Sequence, residues 1–86
     1  MENIEAPLST RQIKAARALV AWSQEDLAAQ SGVSIPTVRR LEAVDGFLGG
    51  KPETAEKLRA ALEAAGVQFI PENGGGAGVR LRERGA

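Results

Sequence analysis

The stretch from Ser23 to Glu42, SQEDLAAQSGVSIPTVRRLE, constrains the fold more than any other part of the chain, because side-chain chemistry marks where its helices start and stop. Ser23 reads as an N-cap, with Glu25 and Asp26 in the first turn, where the helix dipole favours negative charge. The helix that follows, Gln24 to about Ser31, turns Leu27 and Ala28 inward. Gly32 comes next, where a left-handed C-terminal cap is needed and only glycine adopts it without strain. Ser34 caps a second helix, Ile35 to about Ala43, and Pro36 is tolerated there because first-turn N–H groups have no intrahelical partner. Val38 and Leu41 point inward, which leaves Thr37, Arg39 and Arg40 on the outside.

The flanks supply the rest of a mainly α fold. Residues 1–8 show no periodicity and read as a flexible arm. Ser9 and Gln12 form a capping box for a helix running to about Ala21, with Ile13, Ala16, Leu19 and Val20 as its apolar stripe. Ala43 to Lys51 contains Asp45-Gly46 and Gly49-Gly50, so it reads as a turn-rich loop with Phe47 and Leu48 tucked under the domain. A further helix spans about Glu53 to Ala65, with Leu58 and Leu62 buried and Gly66 as its stop. Beyond it the period falls to two. Val67 to Ile70 and Val79 to Arg84 read as strands joined by a glycine-rich loop, Pro71 to Gly78. The expected architecture is a bundle of four to five short helices over 9–66 with a C-terminal β-hairpin over 67–86.

Composition removes several classes of function. A chain of 86 residues makes one domain, burying only about 60 to 65% of its unfolded surface, so its large apolar residues are needed for structure. It has no cysteine and no histidine, which takes away disulfides, thiolate metal sites and the usual general base. We therefore expect no enzyme, no metal and no cofactor. No apolar run approaches the roughly 18 residues of a membrane span, and Met1 to Pro7 lacks the pattern of a signal peptide, so the expected location is the cytoplasm. Eleven basic residues balance eleven acidic ones, which argues against binding driven by bulk charge. The distribution matters more. Arg39, Arg40 and Lys51 lie in or near the second helix of the central pair, and Arg80, Arg82 and Arg84 cluster at the end.

Ser23-Gln24-Glu25-Asp26-Leu27-Ala28, Ser31-Gly32-Val33-Ser34 and Thr37-Val38-Arg39-Arg40-Leu41-Glu42 together resemble the phage-repressor helix-turn-helix, the Cro/C1 or Xre family, over roughly Gln12 to Ala65. The resemblance implies a prokaryotic or phage regulator bound to double-stranded DNA. It places Gln24 on a phosphate, with the helix N-terminus behind it. It puts Ser34, Ile35, Pro36, Thr37, Arg39 and Arg40 at the major groove. Arg40 is the first choice for a forked bond to guanine, Arg39 serves a base or a phosphate, and Lys51 serves a phosphate. The best-known phage repressors carry glutamines where this chain has Ile35 and Pro36, so an operator sequence does not transfer, although apolar groups can press on a thymine methyl. The family also has an arginine and a glutamate at the places of Arg17 and Glu42, which implies an ion pair between the first and third helices.

Trp22 reads as a plug of the core rather than a base-stacking platform. The glycines from Gly74 to Gly78 precede neither Gly-Lys-Ser/Thr nor a helix, so they read as a hairpin tip and not a phosphate cradle. A hairpin is marginal by itself and an exposed edge invites a second copy, so Val67, Phe69, Val79 and Leu81 are expected to join two subunits. The reading is a homodimeric repressor or dual regulator acting on its own operator, an inverted repeat, and controlled by dosage or by a protein such as a toxin or antirepressor. Two alternatives stand beside it. The chain could be the antitoxin of a toxin-antitoxin pair, or an interaction module that has lost DNA binding.

Overall fold

In the computed structural model, residues 7–83 are described, so the expectations for Met1 to Ala6 and for Arg84 lie outside the described residues. The order is α1 (Thr10–Leu19), α2 (Gln24–Ser31), α3 (Ile35–Glu42), α4 (Pro52–Ala64), β1 (Val67–Ile70) and β2 (Gly78–Leu81). Each of the first three helices begins at a serine whose hydroxyl accepts a backbone N–H: Ser9 from Gln12, Ser23 from Asp26 and Ser34 from Thr37. Such caps satisfy donors that the helix itself cannot.

Ile13 and Ala16 of α1, Leu27 of α2, Val38 of α3, Leu58 and Leu62 of α4 and Val67 of β1 meet in one buried cluster. Gly32 adopts φ 79°, and a side chain there would meet nothing within 4 Å, so the α2–α3 turn asks for glycine because of backbone conformation and not for lack of space. The hairpin is antiparallel, with Val67 opposite Leu81 and Phe69 opposite Val79. Alternation puts these four on the face turned to the helices and Gln68 and Arg80 on the other, where the Arg80 Nε donates to the Gln68 Oε1 at 2.9 Å. Gln12 fastens the hairpin to α1, since its capping amide also donates to the Gly78 carbonyl at 3.0 Å and the Ile70 carbonyl at 3.3 Å.

Several expectations need correction. Leu8 is no part of a loose arm. It is buried in the core, and its carbonyl accepts the Leu48 N–H at 2.9 Å. Phe47 does not tuck under the domain. Ser9 and Phe47 form an isolated antiparallel bridge, and in such extended backbone consecutive side chains face opposite ways, so Leu48 packs on the core while Phe47 is 74% exposed. β2 stops at Leu81, although Arg82 still donates its N–H to the Gly66 carbonyl at 2.8 Å. Val67 is wholly buried among the helices, and Phe69 and Val79 are partly buried against the same core.

α1 also ends earlier than Ala21. Trp22 N–H reaches back to the Arg17 carbonyl and Ala21 N–H to the Ala18 carbonyl, a closing pattern that demands a left-handed residue between them. Ala21 fills that place at φ 57°. The stripe breaks there, which leaves Leu19 41% exposed. A left-handed alanine costs about 1 kcal/mol or more, partly offset by the extra unfolded-state entropy that glycine would carry. Ala21→Gly is therefore expected to raise the melting temperature by about 2 to 4 °C, checked by circular dichroism.

Candidate nucleic-acid interface

α3 is held by its inner face. Val38, Leu41 and Glu42 are buried, while Ser34, Pro36, Arg39 and Arg40 are exposed and Ile35 and Thr37 are half-buried. The Ser34 hydroxyl, besides capping Thr37, donates to the Thr37 hydroxyl at 2.9 Å, so the start of α3 is fixed by its own side chains. Ile35 packs partly on the core, so only part of its side chain is open to an outside partner.

The two adjacent arginines differ. Arg39 Nη2 donates to Glu25 Oε2 on α2 at 3.0 Å. Arg40 makes no hydrogen bond or ion pair among the described residues. Instead it lines a shallow cleft with Thr37, Leu41, Gly50, Lys51 and Thr54, between α3 and the beginning of α4. Lys51 is the N-cap of α4 with no side-chain cap bond, and it lines the same cleft as Arg40 at that helix's N-terminus. That arrangement favours an anion. Sequence reasoning named Arg40 and Lys51 separately; it missed Thr54 as their neighbour and Glu25 as the partner of Arg39. The carboxylates at the start of α2 were legible as dipole partners, but a contact across two helices depends on the angle between them.

Behind this face lies a three-helix polar node. Arg17 Nε donates to Glu42 Oε2 at 2.8 Å and Arg17 Nη2 to Glu42 Oε1 at 2.7 Å, while Gln24 Nε2 donates to the same Oε1 at 2.9 Å. The remaining arm of Arg17 donates to the Trp22 carbonyl at 3.0 Å. The Glu42 side chain is only 3% exposed, yet no buried side-chain polar atom among the described residues lacks a partner. Burial alone would push the Glu42 carboxyl up; the hydrogen bonds from Arg17 and Gln24, with the charges of Arg17 and Lys14, outweigh it and hold the group below its ordinary range. The hydrogen bond to Glu42 raises the Arg17 guanidinium further, against the effect of burial. Gln24 thus has one amide hydrogen committed to protein and one left for an outside acceptor.

Away from α3 the surface offers less. Arg59 is buried over the Phe69 ring, 5.5 Å from its centre, and Arg11 grips Asp45 with two bonds of 3.0 Å on the surface. No group of acidic side chains among the described residues could hold a metal ion, and no described helix is long and apolar enough to cross a membrane.

Residues 13–43 match the helix-turn-helix family model, a span that runs from the buried Ile13 of α1 to the end of α3. This segment is thus similar to helix-turn-helix domains of the Cro/C1 type, a family of DNA-binding domains. No curated protein matches the chain. Within the helix-turn-helix, the Arg17–Glu42 pair joins its first helix to its last. Removing one partner of a buried pair strands a charge, so Arg17→Ala is expected to cost about 3 kcal/mol at neutral pH. Glu42 is depressed in the folded state, so its contribution is complete above the unfolded value of about 4.3 and fades as pH falls through the folded one. Denaturant unfolding of wild type and Arg17→Ala should therefore show a gap that narrows below about pH 4.

Proposed function

We propose that the chain is a sequence-specific regulator of transcription that lays α3 in the major groove of double-stranded DNA. The observation that carries this reading is the two-sidedness of α3: its inner face is locked by Val38, Leu41 and Glu42, and its outer face offers Ser34, Pro36, Arg39 and Arg40 to solvent. In this reading Arg40 bonds the edge of a guanine, Thr37 and Ser34 contact base edges or sugar, and the open part of Ile35 with Pro36 meets a thymine methyl. Lys51 and the start of α4 take one phosphate, and the free amide hydrogen of Gln24 at the start of α2 takes another. Phosphate contacts on both flanks would fix the register in which α3 reads bases.

The regulator acts as a homodimer on an inverted repeat, with half-sites about 34 Å apart or a multiple of that distance. Since Val67 is fully buried, the C-terminal contribution to such a dimer comes from strand edges, from the open parts of Phe69 and Val79, and from Leu81, which lines a groove with Leu19, Val20, Ala21, Trp22 and Ala65. Its target is its own operator, where occupancy represses or tunes transcription in a prokaryotic cytoplasm, with a toxin or antirepressor as the class of protein that would relieve it.

Selection of bound duplexes from a random pool gives the site, and fluorescence anisotropy on the selected duplex gives the roles. Arg40→Ala is expected to lose about 1 to 3 kcal/mol on the selected duplex and little on a scrambled one. Lys51→Ala should weaken both alike and flatten the salt dependence by about one unit of slope. A protein that binds no duplex at low salt would end the proposal. Sedimentation of the complex should give two chains per selected site, and recovered sites without dyad symmetry would remove the dimer.

A further inference from the structure

The geometry points to Glu25 as a specificity residue: an internal counter-anion that occupies Arg39 and keeps it from serving random DNA phosphates. This inference rests on the DNA-binding reading above. Arg39 and Arg40 are neighbours on one helix and carry the same charge, yet among the described residues only Arg39 has a partner. Arg39 Nη2 lies 3.0 Å from Glu25 Oε2, and the two side chains are 58% and 55% exposed. Glu25 stands in the first turn of α2, beside Gln24, where the dipole of its helix favours the carboxylate. An ion pair this exposed is weak and opens readily when a better acceptor is offered.

What the pair controls is the consequence of opening. If Arg39 swings to a phosphate, it leaves the Glu25 carboxylate unpaired at the end of α2 nearest the Gln24 phosphate contact, facing a polyanion. On random DNA the base edges seldom match and phosphates supply nearly all of the attraction, so a complex in which Arg39 joins them bears this repulsion. A cognate base pair asks for no opening. The guanidinium has five N–H donors and Glu25 takes one, so the rest of the fork can reach a base edge while the carboxylate stays neutralised and fixes the rotamer. The chain carries zero formal net charge, so a single sequestered cation is a large share of its attraction for DNA. Glu25 thereby widens the gap between selected and random sites by weakening the random ones.

The test compares wild type, Glu25→Gln, Arg39→Ala and the double variant by anisotropy on the selected duplex and on a scrambled duplex over a salt series. Glu72→Gln, on the exposed loop between the strands, controls for the change in net charge. Glu25→Gln is expected to bind the scrambled duplex about three- to tenfold more tightly at low salt, with a salt slope steeper by about one unit, and to gain less on the selected duplex. The gain should vanish when Arg39 is already alanine. An effect no larger than that of Glu72→Gln, or one that persists without Arg39, overturns the role of Glu25 while leaving DNA binding intact. Absence of binding by every form, wild type included, overturns both together.

Discussion

Glu42 is the point on which the helix-turn-helix is fixed. It closes α3, is almost fully buried, and takes donors from α1 through Arg17 and from α2 through Gln24. A buried carboxylate tolerates little misalignment, because any donor that drifts leaves charge without a partner in a poor dielectric. The node therefore does more than join three helices. It sets the rotation of α3 about its own axis, and with it which side chains look outward. Because Gln24 spends one hydrogen on the node, the start of α2 is aligned by the same carboxylate that orients α3.

The outward face of α3 is uneven as a result. On the α2 side Arg39 is tied to Glu25, and on the α4 side Arg40 opens onto a cleft bordered by Lys51 and Thr54. Two like residues in adjacent positions have different freedoms because a helix advances about 100° per residue, which is enough to deliver them to different neighbours. Behind them the hairpin serves as a cover for α1 and α4. Gln12 links it to the cap of α1, and Arg59 stacks on Phe69 from α4.

Much of this is legible in the sequence alone. Three serine caps, the glycine after α2 and the change of period after Gly66 placed the helices and β1 to within a residue or two, because caps and periodicity are local chemistry. The misjudged places share a different cause. Leu8 is buried and Phe47 exposed because Ser9 and Phe47 pair as extended backbone across a long separation, and no local pattern announces an isolated bridge. Ala21 sits in a left-handed cap without the glycine that usually marks one. Val67, Phe69, Val79 and Leu81 were rightly grouped on one face, but whether an apolar face meets its own helices or a second chain depends on where the hairpin docks.

By itself, then, the sequence determined the helices, their starts, the sharp corner at Gly32 and the set of polar residues on the solvent side of α3, since each follows from interactions within a few residues. Only the tertiary structure decided which of those residues are free. The angle between α2 and α3 brings Glu25 to Arg39, and the return of α4 sets Lys51 and Thr54 beside Arg40. Charge pairing across helices is a matter of distances in space, and spacing along the chain does not encode it.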